Sequence, residues 1–133
     1  MLGQKLKERG FHPLFILREE ERKEWSHASI QAPRFSTFSE MAQAVCESGY
    51  MIGNDSGIGH LASCCGVPTL TICRHPGTAH FWKPAWSKGE IIAPFSWIPN
   101  LKYARLRDRY WQQWISVSRV LKQFEKQLSS SDP

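Results

Sequence analysis

Tyr50-Met51-Ile52-Gly53-Asn54-Asp55-Ser56-Gly57-Ile58-Gly59-His60-Leu61-Ala62-Ser63-Cys64-Cys65-Gly66-Val67-Pro68-Thr69 decides the fold class. Tyr50 to Ile52 is a short apolar strand, and a tight polar loop follows it. Asp55 or Ser56 can cap a new helix, which runs from about Gly57 to Cys65 and stops at Gly66. Pro68 to Cys73 reads as a second buried strand, with proline at its first position, where no ladder donor is lost. Gly53, Gly57 and Gly59 remove side chains where a ligand can approach the backbone. Free N–H groups of the first turn, together with the helix dipole, make an anion site suited to a phosphate or pyrophosphate. Ile58, Leu61, Ala62 and Cys65 form one apolar stripe, and His60 falls roughly opposite its middle. His60 therefore points into an open crevice in this reading. A turn with no ligand, and a surface histidine with no role, are the competing readings.

Working outward, residues 2–9 read as a helix stopped by Gly10. Pro13 to Leu17 reads as an apolar strand, Arg18 to Trp25 as a charged helix, and the chain near Ile30 as a weak strand. Thr37 and Glu40 form a capping box, after which Phe38, Met41, Ala42 and Val45 share one face. Leu106, Tyr110, Trp114, Val117, Leu121, Phe124 and Leu128 predict a long terminal helix over 103–128 that packs along one side, with Trp111 off that line and partly exposed. Residues 129–133 read as a disordered tail. Strands alternating with helices imply an α/β fold, a Rossmann-like parallel sheet flanked by helices in one domain over 1–128. Ligands of such sheets bind outside the carboxyl ends of the strands, here the loops after Ile52 and Cys73.

Composition limits the function classes. The chain has 133 residues, 41% hydrophobic and 22% charged, which excludes a disordered polymer. No apolar run approaches the ~20 residues of a membrane span, and Met1 to Gly10 lacks a signal peptide's apolar stretch, so a cytoplasmic location is expected. Seventeen basic against twelve acidic residues give a net charge of +5, which favours anionic partners without choosing among them. Basic residues from Lys102 to Lys126 crowd the last third, where a solvated helix face is the plain reading. Cys46, Cys64, Cys65 and Cys73 show no C-x-x-C spacing, and with His75 and His80 they match no zinc pattern. Four reduced cysteines and no metal are expected.

Asn54-Asp55-Ser56-Gly57, then His60-Leu61-Ala62, then Gly66-Val67-Pro68-Thr69, resembles the signature of glycosyltransferase family 9, the lipopolysaccharide heptosyltransferases. That pattern is Asp-[Ser/Thr]-Gly-x-x-His-Leu-Ala followed by Gly-x-Pro-[Thr/Ser], and every position matches. The resemblance covers about residues 2–95, and only the 54–69 motif is specific. It implies the carboxyl-terminal, donor-binding half of a GT-B fold, which binds a nucleotide-diphosphate sugar, ADP-heptose or another, with no further cofactor. Asn54, Asp55, Ser56, Gly57 and His60 would line the donor pocket, with Arg74 and Lys83 as further candidates. The catalytic base is not assigned. His75 can also reach anionic oxygens, and Trp82 or Trp86 can stack on a ring. The acceptor implied is a lipopolysaccharide core, met through an amino-terminal domain. The family's second domain opens with a strand and loop that this sequence starts after, so a truncated chain, inactive alone, is the expectation. Peripheral attachment at the inner membrane, self-association, or pairing with a separate amino-terminal half fits the same resemblance. A basic nucleic-acid-binding module and a non-catalytic interaction remnant are the alternatives, and nucleic acid is not favoured.

Overall fold

The computed structural model describes residues 1–26, 29–75, 77, 86–95 and 111–130. It divides into two compact units, 1–38 and 39–133.

In the first unit, α1 spans Leu2–Lys7 and α2 spans Glu19–Glu24. Gly10 adopts φ +84° after α1, a conformation that a residue with a Cβ resists. The predicted strand over 13–17 is absent. Leu14 forms a single parallel bridge with Gln31, and Phe15 N donates to Gln31 O at 2.8 Å. The run is apolar enough for a strand but finds one pairing contact instead of a ladder. The weak strand near Ile30 reduces to the same bridge. Arg22 ties α2 to the chain beyond it, its guanidinium donating to Ala32 O at 2.8 Å and Pro33 O at 2.6 Å.

The second unit is α/β, a small parallel sheet flanked by helices. α3 (Phe38–Cys46) leads into β1 (Met51–Asn54), α4 (Gly57–Cys64) into β2 (Thr69–Ile72), and then β3 (Gly89–Ile92) follows. A 3-10 turn over Trp111–Trp114 precedes α5, Val117–Ser129. The order is β1-β2-β3, all parallel, with Met51 opposite Thr69 and Thr69 opposite Gly89. The central strand carries the core: Leu70 is fully buried, with Ala62, Val67, Ile92, Val120, Leu121 and Phe124 around it. α5 packs on this sheet. Phe124 meets the Tyr50 ring edge-on at 4.8 Å, and Gln127 Nε2 reaches Thr69 O at 3.4 Å. No helix among the described residues is long and apolar enough to cross a membrane.

Four expectations change in this part of the chain. β3 was not expected, because it is four residues long and one of them, Glu90, is charged and exposed. Among the described residues of the predicted helix over 103–128, Trp111–Trp114 form a 3-10 turn and the α-helix starts at Val117. Ser116 is its N-cap and accepts Arg119 N, which competes with continuing the helix backward. Trp114 is consequently 44% exposed rather than packed, and 103–110 lies outside the described residues. Ser129 ends α5 instead of starting a tail, and 131–133 lies outside the described residues. On α3, Phe38 is 68% exposed while Val45 is buried, so the apolar face forms only in its later turns.

The expectation of four reduced cysteines is also corrected. Cys46 and Cys65 are joined in a disulfide, with Cα atoms 5.2 Å apart, and Cys64 and Cys73 are free. Topology explains the pairing. α3 and α4 deliver the chain to the starts of two adjacent parallel strands, so the two helices end side by side.

Candidate functional site

β1 and β2 end together, and the ladder runs slightly past both ends. Asp55 N donates to Ile72 O at 3.3 Å, and Cys73 N donates to Ile92 O at 2.8 Å. The two loops that leave the sheet are thereby held next to each other. A cavity of about 190 Å³ opens there. Asn54 lines it from the end of β1 and Asp55 from the first loop, and Cys73, Arg74 and His75 line it from the second. Ile72 forms part of its wall, and Trp111 closes it from the turn before α5.

Polar and charged groups therefore share one small mouth: an amide, a carboxylate, a guanidinium and an imidazole. Burial, reinforced by the Asp55 carboxylate, pushes the Cys73 thiol above its ordinary pKa. A thiol held protonated is a poor nucleophile, so Cys73 is a wall of the cavity rather than its reactive group.

The start of α4 stands beside this mouth. Ser56 takes the N-cap position with no side-chain cap bond. Gly59 N and His60 N fold back on Ser56 O at 3.1 and 3.4 Å, and Gly57 and Ile58 are left as the first-turn amides with no acceptor within the helix. Gly57 is exposed, and a Cβ placed on it would meet nothing within 4 Å. No packing demand of the described residues calls for glycine there.

His60 is half-buried, its side chain 34% exposed. Its Nε2 lies 3.8 Å from Asp55 Oδ1, longer than a hydrogen bond, and its ring meets Trp86 edge-on at 6.0 Å between centroids. It is not buried among apolar side chains. It stands between Asp55 and Trp86 and outside the lining of the 190 Å³ cavity. The buried line of α4 is Gly59, Ala62 and Ser63 rather than the predicted Ile58, Leu61, Ala62 and Cys65 stripe. Small residues bring this helix close to the sheet. Ser63 is fully buried because its Oγ accepts Trp86 N at 3.1 Å and Ser87 N at 3.0 Å.

Of the residues singled out from sequence, Asn54, Asp55 and Arg74 meet at the cavity. Ser56, Gly57 and His60 form the adjacent helix start, and Lys83 and Trp82 lie outside the described residues. Trp86 is 69% exposed, and its ring meets that of His60. Ile72, Cys73 and Trp111 were not anticipated as lining. The one hint for Trp111 was its position off the apolar line of the terminal helix. Comparisons with protein-family models, curated proteins and solved structures give no match for this chain.

Proposed function

We propose that residues 39–133 are the donor-binding part of a heptosyltransferase-like glycosyltransferase of GT-B type, with a Rossmann-like sheet. In this reading the mouth at the ends of β1 and β2 holds part of a nucleotide-diphosphate sugar. One observation carries it: Asn54 and Asp55 of the motif share a single cavity with Arg74 and His75, beside the open start of α4.

Chemistry divides the work among these residues. Arg74 carries a permanent positive charge suited to phosphate oxygens. The amides of Gly57 and Ile58 add donors, and the α4 dipole contributes about 0.3–2 kcal/mol to an anion. His60 can donate to an oxygen in either protonation state. At about 190 Å³ the cavity is smaller than the roughly 300–1,000 Å³ of a closed small-molecule site, so it holds one portion of the donor. Sugar transfer also needs a base on the acceptor hydroxyl and an oriented acceptor. The family resemblance assigns both to the other domain of the fold, and transfer to a lipopolysaccharide core acceptor is the reaction this reading implies for the two domains together.

A thermal-shift screen of nucleotide sugars, their diphosphates and a random oligonucleotide tests the proposal. A true ligand at 100 times its dissociation constant adds about 2.7 kcal/mol of stability. Stabilisation by ADP-heptose or ADP supports the reading. Stabilisation by the oligonucleotide alone, or by none of them, sinks it.

A further inference from the structure

We propose that Trp111 is the stacking wall of the cavity, and that the portion of ligand held there is a single ring of the nucleotide sugar. This rests on the donor-site reading above.

The cavity lining is of two kinds. Asn54, Asp55, Arg74 and His75 line it with polar groups at the strand ends and in the loops after them, and Trp111 adds an indole from the turn before α5. A bare anion gains nothing from an indole face and is repelled by the Asp55 carboxylate. A ring with a polar rim uses both kinds of lining, its edge hydrogen-bonded by the polar groups and its face laid on the aromatic. Sugar rings and nucleobases share this chemistry. The volume fits one such ring and not a whole nucleotide sugar.

Trp111 is also mounted firmly enough to serve. It opens the short 3-10 turn before Ser116, whose hydroxyl starts α5. α5 is fixed to the sheet through Phe124 against Tyr50 and Gln127 against Thr69, and Lys88 Nζ donates to Ser130 O at its far end at 2.9 Å. Within the turn, Trp111 is half-buried while Trp114 is exposed, so the inward position is Trp111's.

The test titrates ADP-heptose, ADP and inorganic pyrophosphate into the full chain and into Trp111→Ala and Trp111→Phe. Stacking on one aromatic predicts about a tenfold or greater loss of ADP-heptose affinity in Trp111→Ala, and less than about a threefold loss in Trp111→Phe. Pyrophosphate binding stays unchanged in both. If ADP affinity falls alongside, the ring is the base; if ADP is unaffected, the ring is the sugar. ADP-heptose affinity that ignores Trp111→Ala overturns this inference and leaves the donor reading standing. An unaltered chain that binds none of the three ligands overturns both. A second measurement covers a variant that fails to fold. In the unaltered protein, saturating ADP-heptose must slow alkylation of Cys73, which lines the cavity, and leave the exposed Cys64 unaffected. Equal rates for Cys73 with and without ligand overturn the inference.

Discussion

Ser63 Oγ lies 3.0 Å from Ser87 N, and through this bond helix α4 holds the chain just before β3. The neighbouring amide of Trp86 shares the same oxygen, and Ser87 Oγ donates to Val67 O at 2.7 Å. Ser63 thus fixes the backbone of Trp86, whose ring faces His60 one turn earlier on the same helix. Replacing Ser63 by alanine leaves two amides without their acceptor. Each buried unpaired group costs about 1–3 kcal/mol, and partial exposure at Trp86 keeps the total near the lower end. Urea unfolding of Ser63→Ala is expected to show a loss of about 2 kcal/mol. A loss below about 0.5 kcal/mol, the usual range of a surface change, would contradict the role assigned to Ser63.

The Cys46–Cys65 bond is open to direct count. Denatured protein prepared without reductant should expose two titratable thiols, those of Cys64 and Cys73. The bond closes a loop over a separation of 19 residues, for which chain entropy gives about 3 kcal/mol. Reductant should lower stability by roughly that amount, and Cys46→Ser should show the same loss while becoming indifferent to reductant. Four free thiols would contradict the pairing.

Tyr50 should ionise well above the ordinary tyrosine range. Burial first, and then the Glu90 carboxylate, push its hydroxyl up to about 12. In the unfolded chain it ionises near 10. Between these values the folded state retains a proton that the unfolded state has lost. Stability therefore falls as pH rises from about 10 to about 12, and below 10 this group contributes no pH dependence. Tyr50→Phe should remove that part of the alkaline loss. Its hydroxyl is buried without a partner among the described residues, so the substitution should also stabilise at neutral pH, by about 1 kcal/mol. Alkaline absorbance titration and denaturation at several pH values measure both; destabilisation by Tyr50→Phe at neutral pH would contradict the account.

Two glycines should respond oppositely to alanine. Gly66 has φ +80°, where a Cβ costs about 1–2 kcal/mol, so Gly66→Ala should destabilise by that amount. Gly57 opens α4 with open space around it, so Gly57→Ala should be neutral or stabilising by up to about 1 kcal/mol. If a phosphate approaches this turn, Gly57→Ala should nonetheless weaken pyrophosphate binding. Unchanged binding would remove Gly57 from the site.

The sequence was most readable where the signal is local. Gly66 ends α4 through its own backbone, and the short runs Tyr50 to Ile52 and Pro68 to Cys73 announce strands between turns, which form over Met51–Asn54 and Thr69–Ile72. The same signals located the loops that meet at the cavity, and so Asn54, Asp55 and Arg74. What stayed hidden depends on partners distant in sequence. Pro13 to Leu17 has a strand's composition, but among the described residues its pairing stops at the single Leu14–Gln31 bridge. Ser63 is polar and completely buried, which only the amides of residues 86 and 87 explain. Cys46 and Cys65 look unrelated until parallel pairing of β1 and β2 brings their helix ends together. Trp111 reaches the cavity because Ser116 breaks the terminal helix, a capping preference that the apolar spacing alone overrode.

The Cys46–Cys65 bond encloses β1, the Asn54–His60 turn and all of α4 within one covalent ring. A protease that nicks the chain anywhere between the two cysteines opens a strand of that ring without releasing a fragment. Both halves of the motif stay tethered, and the cut shows as two bands on a gel only once the sulfurs are reduced.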